Sequence, residues 1–237
     1  MKYIIIGDVH GFSDWKEIIK EHPDYDKVIF VGDYLDSFTI SVDDQVSNFK
    51  EILNFKKDNL DNVILLIGNH DYHYSNRCPA YEFYSGYKNK TKTMVYDILN
   101  DAIANNLMQA CILLENKYLI SHAGITETWK NLYFPEIKEN KLIDTINEYM
   151  HTNPNVFSFN GFDGYGDNRT QGPLWVRPLS LSYDKYSDYT QIVGHTSIRE
   201  IKIKDNLVFI DCIAERDKNK QYITIENSEI KIHTLYE

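Results

Sequence analysis

The chain is short of cysteine, of positive charge and of long apolar runs. Cysteine occurs three times in 237 residues, at Cys78, Cys111 and Cys212, odd in number, far apart and without CxxC spacing. That excludes a disulfide frame and points to a reducing compartment. Cys111 and Cys212 lie in apolar strand patterns and belong to the core, while no base is arranged to activate Cys78. Lys and Arg number 25 against 35 Asp and Glu, a formal net charge of −10. Such a balance gives no basic face for general nucleic-acid or membrane-surface binding. The N-terminal apolar run, Tyr3 to Ile6, is too short for a signal-peptide core and is soon followed by Asp8. Nothing approaches the ~18 uncharged apolar residues of a membrane span. A cytoplasmic protein without internal repeats or low-complexity tracts is expected.

What the chain does have is a set of short motifs bearing carboxylate, imidazole and amide groups. They are Gly7-Asp8-Val9-His10-Gly11, Gly32-Asp33-Tyr34-Leu35-Asp36, Gly68-Asn69-His70-Asp71 and Gly194-His195-Thr196. Each follows a run that reads as a buried strand: Tyr3–Ile6, Lys27–Val31, Val63–Ile67 and Gln191–Val193. One common sheet edge then carries all of them. Hard carboxylate oxygens mixed with borderline imidazole nitrogens suit first-row dications such as Mn, Fe, Zn or Ni rather than Ca, which takes oxygen alone. Two such ions ~3.5–4 Å apart need a bridging carboxylate, clamp a phosphate and acidify a bound water so that hydroxide exists near neutrality. Asp33 is read as the bridge.

With Ser121-His122-Ala123-Gly124 added, the constellation resembles the calcineurin-like metallophosphoesterases. Within them it is similar to the branch of serine/threonine phosphoprotein phosphatases and their bacterial and phage relatives, which includes diadenosine tetraphosphate hydrolases. That family's order is GDxHG, GDxxD, GNH followed by an acid, a later single His and a final GH, and every block occurs here in that order. The resemblance implies a four-layer α/β/β/α sandwich of two mixed sheets with flanking helices and a small helical cap. It implies a first metal on Asp8, His10 and Asp33 and a second on Asp33, Asn69, His122 and His195, with Mn the first choice and Fe, Zn or Ni as alternatives. His70 stands outside both sets. The resemblance implies that it is the general acid facing the leaving oxygen, its tautomer held by Asp36, with Asn69 also touching the substrate phosphate.

The chain departs from that pattern in ways that bear on substrate. Where the family continues GDxxD with Arg-Gly, Asp36 is followed by Ser37 and Phe38, so one phosphate-gripping arginine is missing. Leu174-Trp175-Val176-Arg177-Pro178 resembles the later arginine segment of bacterial members. Arg177 is therefore the candidate to grip phosphate, its guanidinium fork matching two oxygens, with Arg169 in reserve. Where the family commonly has Asp-Thr-Gly, this chain has Phe209-Ile210-Asp211-Cys212-Ile213.

A single domain over 1–237 is expected, with cap insertions near 72–109 and 126–189. Helices near Ser13–Glu21 and Val42–Lys57 alternate with the first strands, which makes those strands parallel with right-handed crossovers. From Tyr72 to about Ala110 the pattern turns helical and Tyr-rich, beside the site, with His73 at the surface of that cap. A hairpin, Ala110–Leu114 and Lys117–Ser121, delivers His122. A further helix is expected near Lys141–His151. Asp163-Gly164-Tyr165-Gly166-Asp167-Asn168 fails as a calcium loop, since Tyr165 and Leu174 stand where oxygen ligands are required, and is read as a mobile loop beside Arg177. The C-terminal third reads as antiparallel ribbon. His22, His151 and His233 carry no functional case.

The activity that follows is hydrolysis of a phosphomonoester, first of all phosphoserine or phosphothreonine in a protein. Alternatives are a dinucleoside polyphosphate and a 2′,3′-phosphate at an RNA end. A non-catalytic scaffold is disfavoured because no ligand of the pattern is lost. The expected partner is a phosphorylated protein or small nucleotide, with no membrane.

Overall fold

A computed structural model describes residues 1–79, 84–159, 167–212 and 220–235. Tyr81 to Phe83 of the Tyr-rich run, and the loop read at 163–166, lie outside those described residues.

The first sheet grows from alternating strand and helix. Strands β1 (Lys2–Ile6), β2 (Lys27–Phe30), β3 (Val63–Leu66) and β4 (Met108–Gln109) are parallel. Helices α1 (Trp15–Glu21) and α2 (Val42–Asp58) make the first crossovers. After the one-turn α3 (Asn69–Tyr72), α4 (Asn89–Ala104) makes the next. Strands β10 (Gln221–Glu226) and β11 (Glu229–Thr234) add antiparallel, so the order is β11-β10-β1-β2-β3-β4. In the second sheet β5 (Cys111–Leu114), β6 (Tyr118–Ser121), β7 (Thr190–Val193), β8 (Lys202–Lys204) and β9 (Leu207–Phe209) take the order β5-β6-β7-β9-β8.

Both faces of the first strands are covered, which is why they read as unbroken apolar runs. Tyr3 and Ile5 join Ile29, Tyr118, Ile120 and Val208 between the sheets. Ile4, Ile6, Val28 and Phe30 face the other way, toward the helices. Outside the second sheet, α7 (Pro178–Asp184) lays Leu181 on Val193 and Leu207. The layering is thus helix, sheet, sheet, helix. No helix among the described residues is long and apolar enough to cross a membrane.

One detail differs from the sequence expectation. β7 runs parallel to both β6 and β9, so the C-terminal third is not all antiparallel ribbon. The chain returns to β7 through α5 (Glu127–Tyr133), α6 (Glu139–Thr152) and α7, and so re-enters the sheet from the same end as β6. The two hairpins of that third, β8–β9 and β10–β11, are antiparallel and joined by the two-residue turns Asp205-Asn206 and Asn227-Ser228, whose φ values of 51° to 61° match a type I′ hairpin. α4 packs as an amphipathic helix on the first sheet. Its stripe of Val95, Leu99, Ala102 and Ile103 has helical spacing and joins the outer core against the first sheet.

Candidate active site

Every motif sits where a strand ends. Asp8 and His10 follow β1, Asp33 and Asp36 follow β2, Asn69 and His70 open α3 after β3, His122 follows β6, and His195 follows β7. Both sheets therefore contribute to one rim. The chain bends sharply there: His10, Asp33, Asp36 and His195 have left-handed φ values of 43°, 50°, 66° and 65°. Non-glycine residues in that region cost roughly 1–3 kcal/mol each and persist only where their surroundings hold them, typically at functional sites.

Backbone carbonyls hold three imidazoles in a fixed tautomer. His10 Nδ1 lies 2.6 Å from Leu35 O, His122 Nδ1 3.0 Å from Val31 O, and His195 Nε2 3.0 Å from Trp175 O. A carbonyl only accepts, so those nitrogens carry the hydrogens and donate. The opposite nitrogens are left as lone pairs, and all of them turn inward. His122 Nε2 and His195 Nδ1 each lie 2.9 Å from Asn69 Oδ1. Burial drives the His122 imidazole down to about 4, and drives His195 down well below its ordinary value, so both rings are neutral at pH 7.

Asp33 stands between the two halves. Its Oδ2 is 3.8 Å from His10 Nε2 and 3.4 Å from His122 Nε2, while Oδ1 accepts a bond of 2.9 Å from His70 N. Burial alone would raise its carboxyl, but His122, His70 and His10 hold it below its usual range. Asp8, whose oxygens accept from His195 N at 2.9 and 3.2 Å, completes a trio with His10 and Asp33 whose ligand atoms lie within 4.8 Å of one another. Burial, then Asp211 and Asp33, push the Asp8 carboxyl well up, the mark of crowded anions. Converging lone pairs and crowded carboxylates form a donor set that fits divalent cations of the first transition row. Asp8, His10 and Asp33 lie together on one side of the set, Asn69, His122 and His195 on the other, and Asp33 Oδ2 is 3.4 Å from His122 Nε2.

His70 is differently placed. Its Nδ1 lies 3.0 Å from Asp36 Oδ2, and the Tyr74 hydroxyl donates to Asp36 Oδ1 at 2.5 Å. Burial opposes protonation of His70, but Asp33 and Asp36 overcome it and lift the imidazole to about 9. Burial likewise opposes ionisation of Asp36, yet His70 and His73 hold it at about 2. His73 corrects an expectation: it is not at the surface but buried, with Nε2 2.7 Å from Asp36 Oδ2 and its ring among Tyr74, Tyr84 and Tyr87. Asp36, His70 and His73 also bring three ligand-type atoms together. The Tyr74 hydroxyl takes up the second Asp36 oxygen, so Asp36 is the anchor of hydrogen bonds with His70 and Tyr74, with the buried His73 ring set against it.

Arg177 reaches the rim. Its Nη1 donates to His195 O and Thr196 Oγ1, each at 3.1 Å. Burial weighs against its charge and Asp33, Asp211 and Asp8 weigh for it, so the guanidinium stays ionised in their field. Arg169 is exposed, and its backbone carbonyl accepts from Thr126 Oγ1 at 2.5 Å. Sequence reasoning passed over two further groups as site residues. Asp71 accepts from Tyr34 N at 2.9 Å and Gly68 N at 3.0 Å, locking the second and third motifs together. Asp211 adds its charge beside Asp8; the strand-end Asp was visible in the sequence, but its nearness to Asp8 follows only from β9 lying next to β7.

The buried imidazoles give a stability prediction for protein kept in chelator. A folded-state value of about 4 for His122, against an ordinary 6.5, means that the unfolded chain binds the proton first. The contribution is therefore full above pH 6.5 and is lost as pH falls toward 4, an upper bound of about 3 kcal/mol. Asp8 and Asp71, pushed upward by burial, act in the opposite sense. The measurement is thus a difference: urea midpoints of wild type and His122→Asn at pH 7 and pH 4.5. Wild type should lose more stability on acidification than the variant; equal losses would show that the ring is not buried neutral.

Known proteins share this architecture. A cold-active protein-tyrosine phosphatase from a psychrophilic Shewanella sp. superposes with a TM-score of 0.62 at 16% identity, covering 99% of this chain and 80% of that one. A protein serine/threonine phosphatase from Saccharomyces cerevisiae gives 0.61 at 16% identity, covering 100% and 81%. At that identity the likeness is one of fold. In sequence, the symmetrical bis(5′-nucleosyl)-tetraphosphatase of Sodalis glossinidius (strain morsitans) is 30% identical over 141 residues, 54% of this chain and 45% of that protein, so the match spans less than half of that relative. The description calcineurin-like phosphoesterase matches residues 1–209, the stretch that carries every motif at the rim, and the chain belongs to that family.

Proposed function

We propose that the chain is a dinuclear-metal phosphoesterase acting on a phosphomonoester, with a phosphorylated protein side chain as the substrate class. The observation that carries this is the convergence of tautomer-locked imidazoles on Asp33 and Asn69, beside a His70 whose Nδ1 is held 3.0 Å from Asp36 Oδ2. Asp8, His10 and Asp33 would hold one ion and Asp33, Asn69, His122 and His195 the other. Bound there, such ions polarise the phosphate and acidify a water. His70 holds its transferable proton on Nε2, because Nδ1 is engaged by Asp36, and gives it to the leaving oxygen. Asp36 keeps the ring oriented and stabilises its charge. Arg177 draws the phosphate into a molecule whose overall field is repulsive to anions.

With Mn supplied, the protein should hydrolyse p-nitrophenyl phosphate. Chelator should abolish turnover and restored Mn should return it; turnover that survives complete metal removal would overturn the reading. Arg177→Ala should raise KM about 10-fold or more with metal content intact, the worth of a hydrogen bond to a charged group. An unchanged KM would take Arg177 out of phosphate binding. A second reading, hydrolysis of a dinucleoside tetraphosphate, is favoured by the Sodalis relative. A panel of phosphopeptide, diadenosine tetraphosphate and 2′,3′-cyclic nucleotide separates the readings by their kcat/KM.

A further inference from the structure

Resting on the phosphoesterase reading, we infer that the leaving group carries an aromatic ring bonded directly to the leaving oxygen, an aryl phosphate such as a phosphotyrosine side chain, seated between Phe12 and Phe38. A pocket of about 190 Å³ adjoins the site, its lining shared by the site residues His10, Asp36 and His70 and by Phe12, Phe38 and Thr39. Apolar cavities of roughly 150 Å³ already hold benzene. His70 can offer only Nε2 to the reacting phosphate, so the substituent on the leaving oxygen must extend from His70, and this pocket begins there.

Phe38 is 77% exposed, yet its loop is pinned. Ser37 N donates to Gln45 Oε1 at 3.0 Å, and Gln45 Nε2 donates to Ile40 O at 2.7 Å and Ser37 O at 3.2 Å. Ser37 Oγ accepts from Thr39 N at 3.2 Å and Ile40 N at 3.1 Å. One turn along α2, Asn48 Nδ2 donates to Phe12 O at 3.1 Å. Two buried amides on one helix therefore fix both phenylalanine-bearing segments. The Lys220 ammonium lies 4.7 Å from the Phe12 ring centre and pairs with Asp14 at 2.7 Å, so a cation already attends that ring. A large ring held in water on a rigid loop is preorganised to stack. Among the described residues the pocket lining is aromatic and polar, Phe12 and Phe38 with Ser37 and Thr39, and holds no Lys or Arg; the Lys220 ammonium stands over the Phe12 ring, and the Lys88 ammonium donates to Ser37 O at 3.3 Å.

The test compares two peptides of identical sequence bearing phosphotyrosine or phosphoserine, together with diadenosine tetraphosphate, on Mn-loaded wild type, Phe38→Ala and Phe38→Leu. Phenolate leaves more readily than an alkoxide, so the wild-type preference alone decides nothing; the change caused by the variant does. Phe38→Ala should lower kcat/KM for phosphotyrosine about 10-fold more than for phosphoserine, chiefly through KM, with Phe38→Leu intermediate. Equal losses on the two peptides would overturn the assignment, as would a loss confined to diadenosine tetraphosphate, which would make the ring a nucleobase. Absence of Mn-dependent turnover on every substrate would overturn the phosphoesterase reading along with it. Because Phe38 is largely exposed, its replacement leaves the folded core untouched.

Discussion

Replacing His70 by asparagine should lower kcat by about 10²–10⁴-fold, the usual worth of a positioned general acid, with metal content by elemental analysis the same as in wild type. The separation follows from geometry. The His70 ring faces Asp36 and lies outside the lone-pair cluster of His10, His122 and His195. Its backbone N–H donates to Asp33 Oδ1, and the substitution keeps that bond. The loss should also depend on the leaving group. A nitrophenolate departs without a proton, whereas an alkoxide does not, so the penalty on a phosphoserine peptide should exceed that on p-nitrophenyl phosphate. Equal penalties on both would mean that His70 orients the phosphate without protonating the product.

A single methyl group should do more damage than loss of the acid. At Gly68 an added Cβ would overlap the Asp33 carboxylate and sit 2.5 Å from Asp33 N, with no flexible side chain able to yield. Gly68→Ala must therefore displace the Asp33 carboxylate, the proposed bridge between the two ions. The expected outcome is loss of bound metal and of measurable turnover, together with ~1–3 kcal/mol of destabilisation from overpacking. Asp33→Asn is the companion variant, since it keeps the shape and removes the charge. It should lose metal with little change in the urea midpoint measured in chelator. If Gly68→Ala retained its full metal complement, the bridging role of Asp33 would be untenable.

Much of this site is legible in the sequence because its elements are local. An apolar run followed by Gly-Asp or Gly-Asn-His places a ligand at a strand end whatever the rest of the chain does, and hairpin turns such as Asp205-Asn206 carry their own φ preference. Distant pairings are not legible in that way. His73 reads as a surface residue because its buried position depends on Asp36, 37 positions earlier, and on the rings of Tyr84 and Tyr87. The contact between Asp211 and Asp8 depends on sheet order, which no local pattern encodes. The helical segment after Tyr72 shows the same division. An amphipathic stripe shows that one side is buried, and whether it is buried under a lid or against a sheet is decided by chain topology.

The bent backbone at His10, Asp33, Asp36 and His195 has an evolutionary consequence. Glycine adopts such conformations at no steric cost, so substitutions there that abolish activity relieve local tension. An inactive lineage would drift toward glycine at these positions and grow more heat-resistant as it did so. In this chain imidazole or carboxylate stands at all four positions, the choice the chemistry requires and local backbone comfort opposes.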